Sequence, residues 1–160
     1  MKQKTCIILT AISFGLRALA LADALMAIVF QEPLKRLYSV SEELIAIHSV
    51  PWNHIVQALL WLIITGIVLL ILMKKPSRDG IVILTILSAL IYTADSSVLS
   101  FVLNDSIMRA SAMKGSAEVA SISALTNAMS RLLSILNTPA MILFFLGLGG
   151  ACGKDFRTEA

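Results

Sequence analysis

Residues 55–73 read IVQALLWLIITGIVLLILM, with no charged side chain between His54 and Lys74. A helix needs roughly 20 predominantly apolar residues to cross the hydrocarbon core of a bilayer, and this stretch has that length and composition. The rest of the chain agrees with it. Of 160 residues, 58% are hydrophobic and 14% charged, with a mean hydropathy of +0.87. A soluble domain carries about 25% charged residues, so this chain has too few polar side chains to cover a globule. The expected fold is an all-α integral membrane protein, a four-helix transmembrane bundle forming a single domain over residues 1–160.

Outward from this stretch, three more spans are expected over about residues 5–30, 80–103 and 120–149. The last is too long for one straight embedded helix, at about 45 Å for 1.5 Å per residue against a hydrocarbon core near 30 Å. It must protrude, or kink at Pro139, whose ring removes one backbone hydrogen bond. Pro76 and Gly80 make the turn KKPSRDG tight, so the second and third spans are expected as antiparallel neighbours. Lys2, Lys4, Lys74, Lys75, Arg78, Lys154 and Arg157 fall on one side, against Lys35, Arg36, Arg109 and Lys114 on the other. The positive-inside rule then places a multi-pass chain in the cell (inner) membrane with both termini cytoplasmic. The residues after MKQK resemble a signal peptide ending at ALA or ADA. Arg17 sits badly in such a segment, however, and the apolar run continues to Phe30, so an uncleaved first span is expected.

The first outer loop, residues 31–54, is expected to carry short interfacial helices. Pro33 can open a turn, Ser39 and Glu42 form a capping-box pattern, and Pro51, Trp52 and Asn53 stop the second turn. Tyr38 and Trp52 suit the interfacial aromatic belt. The second outer connection, residues 104–118, reads as weakly helical.

Charges inside greasy segments raise the functional question. In span three, Thr85, Ser88, Tyr92 and Asp95 follow helical spacing, continued by Ser96 and Ser100. In span four, Ser123, Asn127, Ser130, Ser134 and Asn137 do the same, with Arg131 beside them. Both stripes are expected to face the protein interior, because lipid offers them no partner. Span one contributes Ser13, Arg17 and Asp23, and its Gly15, Ala18, Ala20, Ala22, Ala24 and Ala27 let neighbours approach closely. Span two, with only Gln57, Thr65 and Gly66 as punctuation, is expected to face lipid.

Asp23 and Asp95 lie in the outer half when counted back from Phe30 and Leu103, and Arg131 enters from the same side. Asp23, Asp95 and Arg131 are therefore expected to meet, with Arg17 completing the charge balance from deeper in. A buried network avoids leaving any of the four charges unpaired in hydrocarbon. A register shift that lays Ala22-Asp23 on Ala94-Asp95 also superimposes span two on span four, as in a parallel internal repeat.

Three functional classes follow. The favoured one is a non-enzymatic accessory or interaction protein in which the Asp/Arg network locks the bundle. Its partners are the lipid bilayer and a protein engaged through the Ala-rich face of span one or the outer loop. The second is a small transporter of ions, protons or a polar solute along the Asp95/Arg131 stripe. Its candidate ligand-binding residues are Asp95, Arg131, Asp23, Arg17, Tyr92, Ser96 and Asn127. The third is a membrane enzyme. Against it, the last span holds Asn127 and Asn137 but no box matching an aspartyl dyad, and no phosphate loop, C-x-x-C or G-x-S-x-G is present. His48 and His54 with Glu42 or Glu43 match no strong metal template, and no span offers histidines to a haem. No metal or cofactor is expected. Nucleic acid is excluded as a partner because the basic residues bracket apolar segments instead of forming a patch. Cys6 and Cys152 read as free thiols at the cytoplasmic edge.

Overall fold

The computed structural model describes residues 2–30, 33, 45–74, 77–113 and 116–153. These form four helices: α1 (Gln3–Val29), α2 (Ile45–Met73), α3 (Arg78–Met113) and α4 (Ser116–Ala151). Each contains a stretch long and apolar enough to cross a membrane, over Gln3–Val29, Trp52–Met73, Arg78–Ser96 and Ser130–Ala151.

The helices alternate in direction, so the start of α1, the α2–α3 turn and the end of α4 share one end of the bundle, here called the base. Three contacts establish this. Gln3 Nε2 donates to the Leu72 carbonyl at 3.1 Å. Thr85 Oγ1 lies 3.6 Å from Cys152 Sγ. A Cβ added at Gly147 would meet Thr10 Oγ1 at 2.6 Å and the Cys6 carbonyl at 3.1 Å. The last contact shows how closely the α1 and α4 backbones approach, as small interface residues permit.

α1 packs chiefly on α4 and α2, while α3 packs on α2 and α4. The buried face of α1 is Cys6, Thr10, Ser13, Arg17, Ala20 and Ala24, a 4-3-4-3-4 spacing that keeps small or polar side chains on one side of the helix. Its hydroxyls are satisfied. Thr10 donates to its own helix at Cys6 O, 2.9 Å away, and Ser13 donates across to Ala140 O at 2.6 Å. Near the base, Cys6, Val68, Leu72, Ile81, Phe144, Leu148 and Ala151 close into an apolar core.

The expectation that span two faces lipid is overturned. α2 buries Ile55, Ala58, Trp61, Thr65, Val68 and Leu72, whereas the described side chains of α3 bury only Ile81 and Ser88. The physical reason is Trp61, a large side chain whose indole N–H needs a partner when it leaves water. It turns an otherwise aliphatic helix inward, and α3 takes the peripheral place.

The polarity of the bundle is inverted relative to a water-soluble one. Thr10, Ser13, Arg17, Thr65 and Ser88 are inside, while Ile8, Leu19, Val56, Ile63, Leu70, Ile83, Leu90, Ile135 and Ile142 are exposed. Lipid as solvent makes that arrangement favourable, because an apolar surface costs nothing there and a polar one needs internal partners.

Several helix limits differ from expectation. α2 begins at Ile45 and runs without a break through Pro51, so the stop at residues 51–53 does not occur; losing one hydrogen bond at a proline does not by itself end a helix held by its neighbours. α4 likewise continues through Pro139. α3 extends past Leu103 to Met113, so most of the connection 104–118 is helical. At 36 residues each, α3 and α4 are about 54 Å long and exceed a bilayer core by about 24 Å. The expected interfacial turn with Tyr38, Ser39 and Glu42 lies outside the described residues.

Candidate functional site

The site is built around Trp61, which is fully buried on α2. Its indole Nε1 donates to Asp95 Oδ2 on α3 at 2.8 Å. One turn earlier on the same helix, Gln57 Nε2 donates to the same oxygen, also at 2.8 Å. The spacing i, i+4 aims two donors at one point, so a single carboxylate oxygen ties α3 to α2. Hydrogen bonds to an ionised acceptor are about twice as strong as neutral ones.

Arg17 lies against the face of the same indole, with Cζ 5.2 Å from the ring centroid, within cation–π range. Its guanidinium donates to Asn137 Oδ1 at 3.0 Å and to Met141 Sδ at 3.2 Å, both on α4. Its Nε is buried with no partner among the described residues. One base and one acid, joined through a tryptophan and not by direct contact, thus connect all four helices.

Aromatic rings complete the packing. Trp61 meets Tyr92 and Phe144 edge to face, at 6.0 and 5.9 Å between centroids. Tyr92 and Phe144 each make the same contact with Phe145.

No family model, curated protein or solved structure matches this chain. The geometry alone therefore carries the functional reading.

Of the residues singled out in the sequence, Arg17, Asp95 and Tyr92 are brought together. Ser96 and Asn127 are exposed; Ser96 donates to the Thr93 carbonyl and Asn127 to Ser123. Asp23 and Arg131 are also exposed, so they do not meet Asp95 in the interior as expected. Depth explains why. Counted from the base at 1.5 Å per residue, Arg17 stands about 21 Å from Gln3, Asn137 about 21 Å from Ala151, Gln57 about 24 Å from Met73 and Asp95 about 26 Å from Arg78. Asp23 and Arg131 each stand about 30 Å from the base ends of their helices, which is the full thickness of a hydrocarbon core. At that height their side chains are exposed, about 9 Å beyond Arg17 and Asn137 along the helix axes. Asp23 and Asp95 are in unlike surroundings, so the Ala-Asp correspondence does not extend to their environment.

Trp61, Met141 and Phe144 were not singled out in the sequence. The signal available for Trp61 was its i, i+4 relation to Gln57 in a run of aliphatic residues. Beyond this cluster, His54 is buried one turn outside Gln57, and neither ring nitrogen has a partner among the described residues. Among the described residues no group of three or more His, Cys, Asp and Glu side chains is placed to hold a metal ion. The His48 side chain and Glu42 and Glu43 lie outside them.

Proposed function

We propose that the chain is a small multi-pass protein of the cell membrane, non-catalytic and acting through interaction with another membrane protein, with Arg17, Trp61 and Asp95 as the polar lock of its bundle. The observation that carries the lock is the burial of Arg17: the residue is 1% exposed, and its guanidinium is packed against an indole, an amide and a thioether. A conduction path needs charged groups that line water. Here the central charge is enclosed by packed side chains of α2 and α4, as expected where a costly intramembrane charge serves architecture. The excess of Lys and Arg around the base supports cytoplasmic termini.

The surface offered to a partner is the outer face of α1. Ala20 and Ala24 are used inside, against α2, while Ala11, Gly15, Ala18 and Ala22 are exposed at a 4-3-4 spacing. A Cβ at Gly15 would meet nothing within 4 Å. A second transmembrane helix fits such a stripe by close backbone approach.

A second reading, transport of protons or ions along the Asp95 stripe, draws support from Asp95 itself, a half-buried carboxylate on α3. Reconstituted vesicles under an ion or pH gradient separate the two readings. The interaction reading expects no flux above protein-free vesicles, and a tagged chain that migrates above its monomer mass on native gels of its own membrane. A monomer that conducts, with flux abolished in Asp95→Asn, would overturn it.

A further inference from the structure

The far end of the polar core holds a second feature that the lock does not use. His54 is 3% exposed, and neither Nδ1 nor Nε2 has a hydrogen-bond partner among the described residues. A buried imidazole with neither nitrogen paired is uncommon, since desolvating such a group without compensation is costly. One turn further in on the same helix, Gln57 and then Trp61 hold Asp95 by Oδ2. His54 stands one turn before Gln57, on the side of α2 that meets Asp95. A base on α2 thus lies one turn from the donors that hold an acid of α3, about 29 Å from Met73 along the helix.

We propose that His54 and Asp95 form a proton-binding site that takes up one proton from the aqueous phase at the far end of the bundle. The proton passes from water to a ring nitrogen of His54, giving an imidazolium beside the Asp95 carboxylate, and no other bond is made or broken. The charged and titratable neighbours fit this. Arg17 on α1 is already committed to Asn137, Met141 and the Trp61 face. Tyr92 and Asp95 are the groups on α3, and Arg131 on α4 is exposed. Asp23 on α1 is exposed, so among the described residues Asp95 is the carboxylate placed to stabilise the added charge. The proposal stands whether or not the chain acts through a partner protein, since it concerns equilibrium protonation and not flux.

The test is a pH titration of ring-labelled histidine by nuclear magnetic resonance in lipid nanodiscs, in the His48→Gln background so that only His54 reports. The ring is expected to titrate reversibly between about pH 5 and 8, the range in which histidine switches. Asp95→Asn is expected to lower its proton affinity about tenfold, one unit of midpoint, and Asp95→Glu to restore most of it. A ring that stays neutral throughout, or a midpoint unmoved in Asp95→Asn, overturns the proposal. If Asp95→Asn does not fold, the His48→Gln titration decides alone. Absence of vesicle flux bears on the transport reading and leaves this one intact.

Discussion

Replacing Asp95 by leucine removes the acceptor for two interhelical hydrogen bonds of 2.8 Å. It also leaves the buried Arg17 without its counter-charge. Stranding one member of a buried charge arrangement costs about 3–5 kcal/mol, so Asp95→Leu alone is expected in that range. Trp61→Phe deletes one donor and weakens the aromatic face under Arg17; a bond to a charged group contributes about 1.5–3 kcal/mol and a cation–π contact about 0.5–2 kcal/mol. Coupling between interhelical partners in lipid is smaller, averaging about 0.6 kcal/mol and reaching about 1.7 kcal/mol. The Trp61–Asp95 bond is short and charge-assisted, so it belongs at the upper end. The double variant is expected to be less destabilised than the sum of the singles by about 1–2 kcal/mol. The assay is reversible unfolding in mixed micelles with increasing dodecyl sulfate, followed by circular dichroism. Additivity within about 0.4 kcal/mol, the tolerance for independent sites, would refute the claim that Trp61 joins Asp95 to the bundle.

Gly147→Ala would place a methyl group 2.6 Å from Thr10 Oγ1 and 3.1 Å from the Cys6 carbonyl, an overpacking cost of about 1–3 kcal/mol in the same unfolding assay, whereas Gly15→Ala is expected to be neutral or stabilising by up to about 1 kcal/mol. Asp23→Asn and Arg131→Gln, both exposed, are each expected within about 0.5 kcal/mol of the parent; a loss comparable to that of Asp95→Leu would mean that they are buried in the membrane-bound protein. Reporter fusions after residues 40, 77, 112 and 160 are expected to read outside, inside, outside, inside, and a cytoplasmic signal at residue 40 would invalidate the topology. Ala18→Phe, on the open face of α1, is expected to dissolve the native-gel complex while leaving unfolding unchanged, and an intact complex would remove that face as the partner surface.

Hydropathy is a local, additive property, so the four long apolar helices and the antiparallel pairing of the second with the third were legible in the chain by itself. The same holds for the small and polar face of α1, because Ser13, Arg17, Ala20 and Ala24 share one helix and their common side follows from helical period alone. Which charge meets which was not legible. Depth depends on where each helix begins at the base, and the direction a side chain faces depends on the rotation of its helix against three others. A shift of six residues separates Arg17 from Asp23 by about 9 Å along the axis, enough to place one under the indole of Trp61 and the other at the surface. The tertiary structure also decided that α2, the least polar segment, belongs inside and α3 at the periphery. A tryptophan N–H with no partner in lipid must find one in the protein, and the Asp95 carboxylate supplies it only when α2 turns Trp61 inward.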